Sequence, residues 1–183
     1  MNRDDKTAKA STDPLQAWVH GTADIPAGGL SRTRTASETE RAAIVKALGL
    51  TALDKLDVRY RIVSLPGGGW RLSGDLTTDV VQACVVTLEP VASHLSETFN
   101  VEFWRDAGEP EGGEDKSVLS GPDVEALPSD EIPAGRIVFE ALSAGLDPYP
   151  RSSSAAFDWQ DPETASPEKI SPFSILAKLK DKS

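Results

Sequence analysis

Three arginines carry the chemistry most worth pursuing in this sequence. Arg59 and Arg61 stand two positions apart in Asp57-Val58-Arg59-Tyr60-Arg61-Ile62, and Arg71 follows beyond Pro66-Gly67-Gly68-Gly69. A spacing of two puts alternate side chains on one face of a strand. If 57–65 and 70–76 pair as a hairpin across the glycine turn, all three guanidiniums leave the same outer face, opposite Val58, Tyr60, Ile62 and Leu72. Guanidinium forks match phosphate oxygens. This face is therefore a candidate RNA contact, with Arg41 and Lys46, and also Arg32 and Arg34, placed to widen it. The competing reading is a solvated sheet face neutralised by Asp57, Asp75 and Asp79. No surface aromatics interleave with the arginines, so the pattern does not make a stacking platform for single strands.

Other reactive side chains suggest less. A tetrahedral zinc site needs about four convergent donors, and His20, His94 and the lone Cys84 fall in no ligand spacing. A nucleophilic cysteine needs a lowered pKa and a base. Cys84 lies between Ala83 and Val85-Val86, which points to burial. Gly67-Gly68-Gly69 follows a strand, as phosphate loops do, but no Lys-Ser/Thr pair follows. Nothing places Asp75, Asp79, Glu89 and Glu97 as a catalytic pair in a cleft, and no serine triad is assignable. The reading is a non-enzyme with no metal and no cofactor.

Charge narrows the partners. The net charge is -10 over 183 residues. It is uneven: residues 1–105 hold 12 basic and 13 acidic side chains, 106–183 hold 7 and 16, and 31–62 hold 7 and 4. Bulk acidity argues against non-specific duplex binding, so no DNA partner is expected. A local basic patch, or a basic protein partner, remains compatible. A single cysteine, no secretory signal and no run of 18 apolar residues place the chain in the cytoplasm, away from membranes.

The elements that must hold these side chains follow from patterning. Residues 1–14 read as a loose tail, and Leu15–Val19 as a short first strand. Ser37-Glu38-Thr39-Glu40 is a capping box opening a helix to about Leu48, closed by Gly49. The 57–65/70–76 hairpin follows, and Gly74 marks a bulge or a close backbone approach. Val80–Leu88 reads as a buried strand and 94–104 as a third long one, all antiparallel. Glycine-rich acidic residues 105–129 read as a mobile loop. A second helix begins near Pro133 and ends at Gly145 or the Asp-Pro after it. The prediction is one α+β domain over 15–151, an antiparallel, strongly twisted or partly barrel-like sheet with two main helices and flexible termini. Residues 152–183 form an extension whose apolar island (Ile170, Phe173, Ile175, Leu176, Leu179) docks back or binds a partner.

The ordered set of Trp18, Gly74-Asp75-Leu76, Gln82-Ala83-Cys84-Val85-Val86-Thr87-Leu88-Glu89-Pro90-Val91, Phe99–Phe103, Ile132–Arg151 with Asp147-Pro148-Tyr149-Pro150-Arg151, and Ser171–Lys180 resembles the YceD-type family, the large ribosomal RNA subunit accumulation proteins, in its alphaproteobacterial branch. The resemblance spans roughly 15–180. It implies a role in the synthesis, processing or stability of large-subunit (23S) ribosomal RNA, with a precursor RNA or a ribosomal protein as partner. Members of that family are not known as enzymes. Many carry a second cysteine three positions after the first; here that position is Thr87, so no metal or redox role carries over. Their helix often opens Asp-Leu-Gly-Glu, whereas this chain reads Pro133-Ala134-Gly135-Arg136 and lacks the acidic residue. The rival expectation is a protein–protein adaptor in ribosome assembly, contacting its partner through Tyr149, Arg151 and Phe173.

Overall fold

The computed structural model describes residues 13–105 and 123–155. The chain divides into Met1–Ser153 and Ser154–Ser183, and the described residues belong almost wholly to the first unit. The fold is mixed α+β. Its strands are β1 (His20–Gly21), β2 (Leu30–Thr35), β3 (Ala52–Ser64), β4 (Trp70–Ala83), β5 (Pro90–Trp104), β6 (Asp123–Ala126) and β7 (Glu131–Ile132). Its helices are α1 (Glu38–Leu48) and α2 (Ala134–Gly145).

The main sheet runs β2-β3-β4-β5-β6, and β1 pairs with β7 in a small second sheet. The pairings from β2 to β5 are antiparallel, but β6 runs parallel to β5. The expected α+β fold with an antiparallel sheet and two main helices is present, and β6 adds one parallel pairing that makes the sheet mostly antiparallel and mixed. A parallel neighbour needs a longer connection than a tight turn, and Asp123–Ala126 forms a strand where a loop was expected.

Alternation along β3 and β4 divides the sheet into two faces. Leu56, Val58, Ile62, Leu72, Leu76 and Val80 are buried on the inner face, and burying each stabilises the fold by roughly 1.5–3 kcal/mol. Both helices cover this face. Ile44 of α1, and Ile137, Val138 and Leu142 of α2, join the same cluster. The capping box at Ser37 and Glu40 forms, and Gly49 ends α1 with φ +64°. Partial burial pushes the Glu40 carboxyl up, but bonds from Ser37 and the Trp18 indole hold it below its ordinary value.

Several boundaries differ from the sequence reading. Leu15–Val19 is not a strand. Residues 14–17 form a turn in which the Trp18 N–H bonds the Leu15 carbonyl at 2.8 Å, and both side chains are buried. β2 was not anticipated. The Val80–Leu88 strand stops at Ala83, and 85–87 turn outward so that β5 can return. Gly74 lies in continuous register, so it is a close approach and not a bulge; the irregularity sits between Leu53 and Lys55. The island at 170–179 and residues 106–122 of the expected loop lie outside the described residues.

Candidate functional site

Pairing register places the three arginines. Arg59 lies opposite Asp75, Arg61 opposite Ser73, and Val63 opposite Arg71. Cross-strand partners share a face, so all three leave the outer face of the sheet, which neither helix covers. Around them stand Ser31 and Thr33 of β2 and Thr98 and Asn100 of β5. Ser31, Thr33, Arg59, Arg61, Ser73 and Asp75 line a shallow depression of about 400 Å³.

The three differ in what they bind. Arg71 is held by Glu102, with Nη2 at 2.5 Å and Nε at 3.1 Å from Oε1. Arg71 keeps the Glu102 carboxyl below its ordinary value, against a small opposing effect of burial. Its charge is therefore neutralised locally. Arg61 donates Nη2 to the Gly28 carbonyl at 2.7 Å, which orients the fork but leaves its charge uncompensated. The exposed Arg59 guanidinium has no carboxylate in ion-pair contact among the described residues. Nearby Asp57 is occupied by Lys55 and by the Thr35 hydroxyl, which hold its carboxyl low.

The expected widening of this patch does not occur there. Arg32 pairs in register with Tyr60, and Arg34 with Val58, so both belong to the opposite face of β2. Alternation forces this: β2 places Ser31, Thr33 and Thr35 outward. Arg41 and Lys46 sit on α1, beneath the inner face, and Arg41 donates to the Ala36 carbonyl at 3.1 Å.

A second region joins two peptides about sixty residues apart in the sequence. Val85 N–H bonds the Pro150 carbonyl at 2.9 Å, the Gln82 amide bonds the Asp147 carbonyl at 2.9 Å, and the Ser152 hydroxyl bonds the Glu89 carboxylate at 2.9 Å. Cys84 is buried at this junction. Its Sγ accepts the N–H groups of Val86, Thr87 and Ser152, each at 3.4 Å. The Thr87 side chain and these N–H groups bring the thiol down to about 6. The Thr87 hydroxyl also lies 3.1 Å from the Glu89 carboxylate, so it is shared between the two. The turn is thus completed by hydrogen bonds to one sulfur.

Around this junction Val85, Val86, Leu88 and Tyr149 are exposed, Leu88 at 78 % and Tyr149 at 72 %. Arg151 is exposed beside buried Pro150. Phe173 lies outside the described residues. Arg136, in the first turn of α2, pairs with Glu125 of β6 and Glu140 one turn on.

Sequence reasoning missed the contact between His20 and Tyr60, Nε2 to Oη at 2.8 Å. Forty positions separate them and they belong to different sheets, so no local pattern pointed to it. His94 instead meets Asp79 at 2.7 Å on the exposed sheet face. Among the described residues no cluster of three His, Cys, Asp or Glu side chains could hold a metal, and no helix is long and apolar enough to cross a membrane. Comparison with protein-family models, curated proteins and solved structures finds no match.

Proposed function

We propose that this protein is a non-catalytic factor supporting the synthesis, processing or stability of large-subunit (23S) ribosomal RNA, and that it contacts precursor RNA through Arg59 and Arg61. The observation that carries this reading is the pair of adjacent guanidiniums on an uncovered, Ser/Thr-rich sheet face, with neither charge spent on a carboxylate among the described residues. Two such groups one strand repeat apart match successive oxygens of a phosphate backbone. The polar hydroxyls around them suit sugar and phosphate contacts and offer no base-stacking surface. The YceD-type resemblance supplies the ribosomal context. The test is ultraviolet crosslinking in cells with RNA and protein identified together. Recovery of large-subunit precursor RNA supports the reading, and absence of ribosomal RNA from the crosslinked fraction contradicts it.

A second reading, an adaptor that binds a ribosomal protein without touching RNA, is favoured by a separate observation. Val85, Val86, Leu88 and Tyr149 form an exposed apolar group where the two stitched peptides meet. Aromatic and apolar anchors of this kind dominate many interfaces. The same crosslinking separates the two, since an adaptor yields protein and no direct RNA adducts.

A further inference from the structure

On the far side of β2 from Ser31 and Thr33, two more arginines converge on an imidazole and a phenol. Tyr60, only 3 % exposed, bonds the His20 ring at 2.8 Å. Arg32 lies directly across the ladder from Tyr60, and Arg34 lies across from Val58, one strand repeat away. Both guanidiniums act electrostatically on both rings. Half-buried Arg34 stacks over the Trp18 ring, its Cζ 5.2 Å from the ring centroid, and this fixes its direction.

Asp24 acts on the His20 ring and Glu40 on Arg34, but neither acid makes a direct ion pair with the two guanidiniums among the described residues. Glu40, which Arg34 influences electrostatically, is bonded elsewhere: Oε1 accepts the Trp18 indole N–H at 2.7 Å and Oε2 the Ser37 N–H at 2.8 Å. Among the described residues, Arg32 donates to the carbonyl of Ser31. The second ring nitrogen of His20 has no partner among the described residues. Two guanidiniums held beside each other without a paired counter-charge repel, and a partly buried one gains little from solvent.

We propose that His20, Arg32, Arg34 and Tyr60 form a binding site for a phosphate group. The two forks supply bidentate charge-assisted bonds, and the protonated second ring nitrogen of His20 supplies one further donor, while the Tyr60 hydroxyl, bonded to His20 Nε2 and to Arg34, holds both in place. A carboxylate would satisfy one fork, but the tetrahedral oxygens of phosphate can meet both. The phosphate can belong to a backbone diester of RNA or to a small phosphorylated molecule. The site stands apart from the outer-face reading, because Arg59 and Arg61 lie on the other side of the sheet.

The test is a titration of the full chain with inorganic phosphate, and separately with an RNA oligonucleotide lacking terminal phosphates, followed by NMR at the His20 ring. The charged and titratable groups acting on that ring are Arg34 and Arg32 on β2, Asp24 in the 3-10 turn and Tyr60 on β3; on β7, His20 faces the apolar Ile132, and Glu131 pairs with Gly21. Burial, then Arg34 and Arg32, hold the free imidazole below its ordinary value. Bound phosphate opposes the two arginines and raises it. Arg32→Gln and Arg34→Gln each weaken phosphate binding by about tenfold, Arg34→Lys less, and Arg59→Gln not at all. A shift with inorganic phosphate alone assigns the site to a small phosphorylated ligand; a shift with the oligonucleotide assigns it to the backbone. No His20 response to either probe, or undiminished binding in both glutamine variants, overturns the proposal. Loss of RNA binding in the Arg59 and Arg61 variants with the His20 response intact leaves both readings standing. A His20 response without any such loss removes only the outer-face reading.

Discussion

Replacing Gly74 by alanine tests how the sheet positions Arg59 and Tyr60 at once. Gly74 lies in mid-β4, opposite Tyr60 on one side and Phe99 on the other. An added Cβ overlaps the Arg59 carbonyl oxygen, and it falls 2.7 Å from the tip of the Phe99 ring and 2.8 Å from Tyr60 Cβ. The ring can swing aside. The carbonyl oxygen cannot, because it belongs to the β3 backbone and its displacement disturbs the β3–β4 ladder. Overpacking of this kind costs about 1–3 kcal/mol, while alanine returns up to about 1 kcal/mol of backbone entropy. The expected net loss is about 1–2 kcal/mol, or roughly 2–8 °C in Tm for a domain of this size. Thermal melting followed by circular dichroism measures it, with Gly28→Ala as the control, since a Cβ there meets nothing within 4 Å. A Gly74→Ala protein as stable as the Gly28→Ala protein refutes the close approach, and with it this account of how Arg59 and Tyr60 are held.

Three further outcomes follow from other parts of the fold. Ser37→Ala removes the half of the capping box in which the hydroxyl accepts the Glu40 N–H, leaving the bond from the Ser37 backbone N–H to the Glu40 carboxylate, and should cost about 1 kcal/mol in urea denaturation; an unchanged midpoint contradicts the role given to Ser37. The Cys84 thiol should titrate near 6 by thiolate absorbance, below the value of about 8.5 for an unfolded chain. Because the folded value is the lower one, its contribution to stability is present above the unfolded value and is lost as pH falls through about 6; a midpoint at or above the unfolded value rejects the N–H cradle. Glu102→Gln releases Arg71 from its bidentate contact and should steepen the salt dependence of RNA binding by about 0.7 in log–log slope; an unaltered slope means that Arg71 does not reach the RNA.

What the sequence disclosed, and what it hid, has a common cause. α1 was legible because its start and stop are local: the Ser37–Glu40 reciprocal bonds and the left-handed Gly49 need no distant partner. The β3–β4 hairpin was legible because Val58, Tyr60 and Ile62 alternate with arginines across a glycine turn. β2 was hidden because Leu30–Thr35 contains a single apolar residue; its inward positions are Arg32 and Arg34, at a sheet edge where charge can reach solvent. Leu15 and Trp18, read as part of a strand, are three apart, which is the period of a turn. β6 was hidden because a four-residue parallel pairing is decided by the path of the chain before it. Of the candidate site, the shared face of Arg59, Arg61 and Arg71 was readable from parity, but the Glu102 partner of Arg71 required the β4–β5 register. The contact between the 82–89 and 147–152 peptides left no local trace, since each looks like an independent turn.

The direct measurement of the central claim is the affinity for a single-stranded fragment of large-subunit ribosomal RNA across a salt series, compared between the wild-type protein and the Arg59→Ala/Arg61→Ala double variant. Loss of two phosphate contacts should weaken binding and flatten the log–log salt slope by about 1.4, with the melting temperature unchanged because both side chains are exposed. Identical affinities and slopes for the two proteins would contradict the assignment of this face to RNA.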